Sequence, residues 1–350
     1  MSMTSRDRVL TAFAHAEPDR VPAWCGASTE FWDHAKQQLD LDDEGLRARM
    51  GDDFRRVFAR VPTPDCEFPP EATAITPFGV FRVGIEYGQP LNHPLALTTL
   101  TDVHDYNWPD PQAVDVSHIR EEAASHSKQY AILGGDWSPF WHDLIEVLGM
   151  ENMYLKMYDE PELVDAIVQH IVDYYATVSQ RIFDAAGDGI DVFFIGNDFG
   201  SQRGPLLSEE MFRRFILPHL ARLIDLGHAY NLKVMLHCCG GFAELLPAMI
   251  EVGLDGVHAL QPCCDTMRPE RLKQEFGNKI LLNGAIDSHH VLMDCTPDEI
   301  RLNTREVVET MMPGGGYIAG ASHDWILPET PLENILAMFD AIAEFGVYQK

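Results

Sequence analysis

A histidine and a cysteine separated by one residue are the most chemically suggestive pair in the sequence. His237 and Cys239 lie in His-Cys-Cys-Gly-Gly, directly after the apolar run Val-Met-Leu at 234–236. Residues two apart at the end of a strand project from the same side of the chain. Because imidazole and thiolate are both good zinc ligands, the pair is typical of a metal site. In the alternative interpretation, Cys239 is a small buried hydrophobe and His237 hydrogen-bonds a backbone carbonyl.

A catalytic zinc needs one further protein ligand beyond this pair, because such sites usually take three and leave one position open. Five residues elsewhere in the chain have suitable chemistry. They are His323, Asp324, Cys263, Cys264 and Cys295. The residue types alone leave the third ligand undecided among them.

A second group of polar residues follows another apolar run. Asp198 lies in a glycine-rich loop just after Phe193–Ile195, and Arg203 belongs to the same loop. We predict catalytic roles for both, in which the carboxylate orients or protonates a substrate and the guanidinium tunes its pKa. The alternative is a turn residue that caps the next helix. Further residues at strand ends or in the loops that follow are predicted to bind substrate. They are Gln202, Gln261, Asn283 and Trp325.

These residues need a scaffold that brings strand ends together. After about residue 130, short β-rich runs alternate with longer amphipathic stretches, the pattern of a parallel sheet covered by helices. The predicted strands are Ala131–Gly135, Asp191–Asn197, Lys233–His237, Gly256–Leu260, Lys279–Asn283 and Gly316–Gly320, with one near Val21–Trp24 and one more in the first third. The predicted helices lie around 160–186, 208–230, 242–252, 268–276 and 297–312. We therefore expect one domain over residues 1–350, a (β/α)8 barrel with an elaborated N-terminal region and its reactive residues at the carboxyl ends of the strands.

Two helix starts carry the same four-residue pattern. Thr296-Pro-Asp-Glu and Thr330-Pro-Leu-Glu each place a hydroxyl at the N-cap, a proline at the first helical position and a glutamate at the third. We predict that Thr296 and Thr330 both cap their helices through the side chain.

Composition excludes several classes of function. The 350 residues carry a formal net charge of −28, which repels nucleic acid and anionic membrane surfaces. No apolar stretch is long enough for a membrane span, and the N-terminus lacks the apolar core of a signal peptide, so we expect a cytoplasmic protein. The seven cysteines include two adjacent pairs, a poor framework for disulfides, and are interpreted as thiols or metal ligands. Barrels of this size often pair, so a homodimer is a further expectation.

Five motifs spread along the chain resemble the uroporphyrinogen decarboxylase superfamily. They are Tyr106-Asn-Trp-Pro-Asp-Pro, Gly200-Ser-Gln-Arg-Gly-Pro-Leu, Leu236-His-Cys-Cys-Gly, Gln261-Pro-Cys and Thr330-Pro-Leu-Glu-Asn-Ile. The resemblance runs nearly end to end and implies a (β/α)8 barrel. It also implies one of two activities, decarboxylation of tetrapyrroles or zinc-dependent methyl transfer with a corrinoid cofactor, as in methylcobalamin:coenzyme M methyltransferase.

The methyltransferase branch is the better match. Decarboxylases of the superfamily carry an arginine-rich segment after the first strand, whereas the corresponding residues 23–32 contain no arginine. The methyltransferases carry His-x-Cys, which His237 and Cys239 match, and a later cysteine, where this chain has Asp324 beside His323. The resemblance therefore implies zinc on His237, Cys239 and a third residue, with His323 in the predicted set and Asp324 as its alternative.

The predicted function is zinc-dependent methyl transfer between a corrinoid cofactor and a small thiol, O-methyl or N-methyl substrate. The corrinoid, as methylcobalamin or its demethylated form, would arrive on a partner protein, because the chain has no Asp-x-His-x-x-Gly signature for holding it. One alternative is a metal-free decarboxylase of a smaller acid that uses Asp198 and Arg203. A second alternative is a non-catalytic protein that binds a tetrapyrrole or a corrinoid protein.

Overall fold

Seven parallel strands form the main sheet of the protein, which a computed structural model describes over residues 3–84 and 88–349. The strands of the chain are β1 (Phe54–Arg56), β2 (Ala74–Ile75), β3 (Phe81–Val83), β4 (Gln89–Pro90), β5 (Ala131–Gly134), β6 (Val192–Gly196), β7 (Gly200–Ser201), β8 (Gly204–Pro205), β9 (Lys233–His237), β10 (Gly256–Leu260), β11 (Leu281–Ile286) and β12 (Tyr317–Ala321). The main sheet has the order β1-β5-β6-β9-β10-β11-β12. β2, β3 and β4, which lie between β1 and β5 along the chain, form a separate small antiparallel sheet, and β7 pairs with β8.

The predicted strands of the main sheet are confirmed, with shifted ends. Every residue of β5, β6, β10, β11 and β12 is buried, as expected for a parallel sheet covered on both faces. The strand expected somewhere in the first third is β1. The largest shift concerns β11, which runs to Ile286, so that Asn283 lies inside the strand and Asp287 follows its end.

The eighth predicted strand, Val21–Trp24, does not form a strand. Ala23 makes one isolated parallel bridge to Asp52, just before β1, and another to Ala319 of β12. Pro22 lies in the middle of this segment and has no N–H to donate to a ladder, which limits the pairing to single bridges. The expected eight-stranded sheet is therefore corrected to a curled parallel sheet of seven strands whose two edges both reach Ala23.

Helices cover the outside of this sheet. They are α1 (Ser5–Phe13), α2 (Thr29–Leu39), α3 (Asp43–Met50), α4 (Leu100–Asp105), α5 (Ile119–His126), α6 (Phe140–Leu148), α7 (Met150–Asp159), α8 (Pro161–Ala186), α9 (Glu209–Phe215), α10 (Leu217–Ala229), α11 (Leu246–Glu251), α12 (Pro269–Phe276), α13 (Pro297–Met311) and α14 (Leu332–Phe345). Short 3-10 turns occur at Pro111–Ala113, Gly187–Gly189, Ala243–Leu245 and Asp265–Met267. No helix in the described ranges has both the length and the apolar composition that a membrane crossing requires.

Two of the five predicted helices are interrupted. The helix expected over 208–230 is divided into α9 and α10 at Ile216, and the one expected over 242–252 becomes a 3-10 turn followed by α11. A proline lies in the first turn of both α10 and α11, where it can start a helix but cannot continue one from the preceding residues. The helices expected over 160–186, 268–276 and 297–312 are confirmed as α8, α12 and α13.

The two Thr-Pro motifs behave differently. Thr296 forms a complete capping box, in which its hydroxyl accepts from the amide of Glu299 and the Glu299 carboxylate accepts from the amide of Thr296. The prediction for Thr330 is wrong, because α14 begins one residue later, at Leu332. The Thr330 hydroxyl instead donates to the sulfur of Met293, at 3.2 Å, in a neighbouring loop.

Candidate active site

Polar residues from several strands gather at the carboxyl end of the main sheet. Asp198 follows β6, Cys239 follows β9 and His323 follows β12, each by two residues. A cavity of about 370 Å³ opens beside them. Its lining includes Asp198, Gln202, Cys239, Gln261, Cys263, Asp287, His289, His323 and Trp325, together with an apolar wall from Leu292, Met293, Ile326 and Leu327. This is the end of a parallel β/α sheet where substrate and cofactor sites are found.

Three residues with metal-binding atoms converge at the edge of the cavity. One ligand atom each from Asp198, His237 and Cys239 lies within 4.8 Å of the other two. His237 Nε2 is 3.4 Å from Cys239 Sγ and 3.6 Å from Asp198 Oδ1. Ligand atoms bound tetrahedrally to one zinc at 2.0–2.3 Å lie roughly 3.3–3.8 Å apart, so these separations fit a zinc ion. Asp198 and Cys239 both face the cavity, which leaves room for a substrate at the fourth position.

Asp198 is held by two donors that sequence reasoning did not connect to it. The backbone amide of Cys239 donates to Oδ1 at 2.7 Å, and His142 Nε2 lies 3.2 Å from Oδ2. Burial alone would raise the pKa of Asp198, but the hydrogen bonds to His142 and to the amide of Cys239 act against burial, and that pKa lies well below its usual value. Asp198 is therefore an anion suited to a cation. His142 lies in the first turn of α6, far from Asp198 along the chain, and no spacing signal in the sequence joins them.

His258 on β10 fixes the orientation of His237. Their Nδ1 atoms are 3.1 Å apart, and burial lowers the pKa of both imidazoles, so both are neutral. A metal bound to Nε2 of His237 would require the proton of that ring on Nδ1, from where it would donate to Nδ1 of His258. His258 would then carry its own proton on Nε2, which is buried and has no hydrogen-bond partner in the described part of the chain. Such an outer imidazole sets the tautomer that a metal ligand needs.

Two glycines let the loops of Asp198 and Cys239 touch. A Cβ atom on Gly200 would lie 2.6 Å from the carbonyl oxygen of Cys239, and one on Gly240 would lie 2.5 Å from the carbonyl carbon of Gly200. Gly240 also has a φ of +80°, which disfavours any other residue. The amide of Gly241 donates to the carbonyl of Ser201 at 2.8 Å. The backbones of the two loops are therefore in direct contact.

The candidates for a third ligand lie outside the cluster of Asp198, His237 and Cys239. His323 accepts from the amide of Trp325 through Nδ1, and its ring centre is 6.2 Å from that of His237. Asp324 receives two hydrogen bonds from Arg56, at 2.8 and 3.1 Å, and one from Trp24. Burial opposes ionisation of Asp324, yet the charge of Arg56 lowers its pKa far below the usual value. Asp198, predicted as a catalytic acid, is the residue that the fold places beside His237 and Cys239; ligation by His323 stays a prediction.

The remaining predicted residues are divided between the cavity and its surroundings. Gln202, Gln261 and Trp325 line the cavity, and Gln261 Oε1 accepts from the amide of Gly240 at 2.9 Å. Asn283 is fully buried inside the sheet and lies outside the cavity lining. Arg203 is exposed on the turn between β7 and β8 and is likewise not among the described lining residues. The roles assigned to these residues stay predictions.

The cysteines of the loop after β10 lie near the rim. Cys263 is exposed and Cys264 is buried, with their sulfurs 3.8 and 3.6 Å from Gln202 Oε1. Cys295 is half-buried and its thiol lies 3.4 Å from the carbonyl of His290. In the described residues, the group of three metal-binding side chains includes none of them.

Comparison with known proteins identifies the family. The model of the family described as uroporphyrinogen decarboxylase (URO-D) matches residues 77–345. The chain belongs to this family. The resemblance seen in the motifs is thereby confirmed.

Relatives of this uroporphyrinogen decarboxylase family member include both activities. A methylated-thiol–coenzyme M methyltransferase of Methanosarcina mazei is 25% identical over 266 residues, which cover 74% of this chain and 67% of that protein. A uroporphyrinogen decarboxylase of Methylococcus capsulatus is 23% identical over 256 residues, which cover 70% of this chain and 69% of that protein. A solved structure of a methyltransferase from Methanosarcina mazei superposes with a TM-score of 0.71 at 18% identity, covering 98% of this chain and 99% of that one. This last likeness shows a shared fold.

Proposed function

We propose that this protein is a zinc-dependent methyltransferase. It moves a methyl group between a corrinoid cofactor, carried by a partner protein, and a small thiol, O-methyl or N-methyl substrate. The observation that carries the proposal is the convergence of Asp198, His237 and Cys239 at the edge of a cavity. The chain also has relatives named as methyltransferases that act with coenzyme M or methylcobamide.

The proposed zinc ligands are Asp198, His237 and Cys239, with His323 kept as a further candidate. Bound zinc would favour the deprotonated, nucleophilic form of a substrate thiol at neutral pH, or polarise the heteroatom of a methylated substrate. The chain's own groups prepare the site. His258 keeps Nε2 of His237 free of a proton, and His142 orients the carboxylate of Asp198.

The methyl group moves without its bonding electrons. When a neutral substrate gives up the methyl group, its heteroatom keeps the electron pair of the broken bond and takes up one proton; a quaternary ammonium keeps that pair and leaves as a neutral amine without a proton. The corrinoid of the partner protein would supply the electron pair for the new bond to the methyl group. In the opposite direction the substrate thiol loses its proton and supplies the pair for the new bond, and the corrinoid would keep the pair of the broken bond. Either direction suits an open position beside Cys239 in a cavity that faces outward, where a separate corrinoid protein can dock.

The scaffold for this chemistry is proposed to be a (β/α)8 barrel. The single bridges of Ala23 to Asp52 and Ala319 support an arrangement in which the Val21–Trp24 segment lies where an eighth strand would be. Domain organisation as one unit over 1–350 stays a prediction.

A decarboxylase that pairs Asp198 with Arg203 has less support. The side chain of Arg203 is exposed and outside the cavity lining. None of the described residues that line the cavity is lysine or arginine, so no ammonium or guanidinium group there would hold a substrate carboxylate. Asp198 bonds to His142 and the amide of Cys239 instead.

Metal analysis of purified protein tests the proposal. We expect one zinc per chain, measured by mass spectrometry of the metal, and transfer of the methyl group of free methylcobalamin to a thiol, followed by the cobalamin spectrum. Cys239→Ala should lose both, because the site then keeps only two ligands. Cys66→Ala is the matched control, since Cys66 is an exposed thiol that is not part of the cluster. A wild-type protein that neither contains nor takes up zinc would rule the proposal out.

A further inference from the structure

The lining of the cavity combines an apolar surface with two carboxylates. The apolar residues are Leu292, Met293, Trp325, Ile326 and Leu327. The carboxylates are Asp198, at the proposed metal position, and Asp287, which directly follows β11. Asp287 is fixed in place, because its Oδ1 accepts from the amides of His289 and His290 at 2.8 and 3.1 Å.

The proposed metal does not leave a surplus of positive charge. If Asp198 and Cys239 bind zinc as anions, their two negative charges cancel the two positive charges of the ion, and neutral His237 adds none. A substrate thiolate then makes the site negative. A second anionic group on the same substrate would have to lie beside Asp287 as well, in a protein whose formal net charge is −28.

The arginines nearest to this end of the sheet do not supply the missing cation. Both oxygens of Asp324 accept from Arg56, so the charge of Arg56 is already matched. Arg56 lines a separate small pocket, beside Trp137 and Phe194. Arg203 is exposed on its turn, outside the described lining of the main cavity. An anionic substrate would therefore lose its hydration without gaining a salt bridge to a lysine or arginine of the described lining.

We infer that the cavity takes a methyl donor or acceptor without an anionic group: a neutral or cationic molecule whose apolar part lies against Leu292, Met293 and Trp325. The inference rests on the proposed methyltransferase function and narrows its substrate class. It separates this chain from relatives whose printed names specify coenzyme M, a thiol that carries a sulfonate. Charge is thus the property that sets its specificity.

Three two-carbon thiols that differ in one terminal group test the inference by binding. They are 2-mercaptoethanol (neutral), cysteamine (ammonium) and 2-mercaptoethanesulfonate (anionic). Each is titrated into full-length protein loaded with Co²⁺ in place of zinc, and the thiolate-to-cobalt absorption band reports the dissociation constant. We expect the sulfonate to bind at least tenfold more weakly than either of the others.

Removing one carboxylate should strengthen binding of the anionic probe, weaken binding of the ammonium probe and leave the neutral probe unchanged. Asp287→Asn keeps the oxygen that accepts from the His289 and His290 amides but removes the charge. We expect sulfonate binding to improve roughly threefold to tenfold, with less effect at high salt. Asp225→Asn is the matched control, because Asp225 is exposed on α10 and removes the same charge away from the cavity.

The outcomes distinguish a failure of this inference from a failure of the proposed methyltransferase function. Sulfonate binding as tight as that of 2-mercaptoethanol overturns the inference and leaves methyl transfer intact. Equal effects of Asp287→Asn and Asp225→Asn also overturn it, because the discrimination would then come from net charge rather than from the cavity. If the protein takes up no Co²⁺, or no thiol changes its spectrum, the proposed function fails and the inference with it.

Discussion

The two ends of the main sheet treat buried charge in opposite ways. At the amino end, Asp53 is completely buried just before β1 and all of its oxygens are satisfied. Arg8 lies 2.7 Å from Oδ1, Arg20 lies 2.8 Å from Oδ2, and the amide of Ala23 also donates to Oδ2. The charges of this cluster, on Arg8, Arg20, Asp19 and Asp53, are all paired with the opposite sign, so nothing in it remains for a ligand.

At the carboxyl end, buried polar atoms are left unpaired. Nδ1 of His142, Nε2 of His258 and Oδ1 of Asn283 have no hydrogen-bond partner among the described residues. Asp198 is bonded but half-exposed toward the cavity, next to a thiol and an imidazole. Because an unsatisfied buried polar atom costs free energy, the unpaired nitrogens of His142 and His258, which contact Asp198 and His237, indicate a region shaped for a ligand rather than for stability. The amino end holds the fold together, and the carboxyl end is the place for chemistry.

The largest expected effect is on stability, from removing the buried charge at the amino end of the sheet. Asp53→Asn removes the charge between Arg8 and Arg20 and should destabilise the protein by about 3 kcal/mol, because the buried Arg8 and the half-buried Arg20 lose a charged partner. Asp340→Asn is the control, since its pair with Arg49 is exposed and contributes less than about 1 kcal/mol. Urea unfolding gives both values. Zinc affinity should not change in either variant, and a weakened metal site in Asp53→Asn would contradict the division between the two ends.

The next effect concerns the carboxyl end alone. His258→Leu leaves Nδ1 of His237 without an acceptor, and we expect zinc affinity to fall roughly tenfold to a hundredfold, measured by competition with a coloured chelator. His258→Asn offers an oxygen near the position of the lost nitrogen and should recover part of the affinity. If Asn binds zinc no better than Leu, His258 acts through packing and not as the acceptor that sets the tautomer of His237.

The smallest effect depends on pH. Burial raises the pKa of Asp143 on α6 to about 7, and its hydrogen-bond donor is the hydroxyl of Tyr175. Since this pKa is higher in the folded than in the unfolded chain, the stabilising contribution is complete below about pH 4 and is lost as pH rises toward 7. Asp143→Asn should therefore stabilise the protein by about 1–2 kcal/mol at pH 8 and by nothing at pH 4. Urea unfolding at the two pH values measures the difference; an equal gain at both would mean that ionisation is not the cause.

Much of the scaffold could be predicted from the sequence because its signals are local. Six apolar runs identified strands, and the Thr296 motif identified a helix start. The eighth strand did not form because Pro22 limits its pairing, and Thr330 does not cap because α14 begins one residue later, while its hydroxyl contacts Met293, distant along the chain. Local propensity does not include such tertiary contacts.

The candidate site was predictable only where its residues directly follow strands. His237, Cys239 and Asp198 were singled out in this way. Arg203 was the predicted neighbour of Asp198, whereas its neighbours in the fold include the loop that carries Cys239. His142 and His258 were missed, since each acts on a residue 56 or 21 positions away and the contact exists only once the sheet has curled. Asn283 was displaced from the rim because β11 extends three residues further than its apolar run suggested.

The glycine contact between the loops of β6 and β9 limits how this site can be altered. One added methyl group at Gly200 or Gly240 would push apart the segments that carry Asp198 and Cys239. The distance between those two side chains therefore depends on direct contact between the backbones of the two loops. Protein engineers seeking a new substrate have freedom along the far wall, at Leu292 or Leu327, where a changed side chain does not disturb that spacing. Substrate recognition and metal binding can therefore be altered independently of each other in this protein.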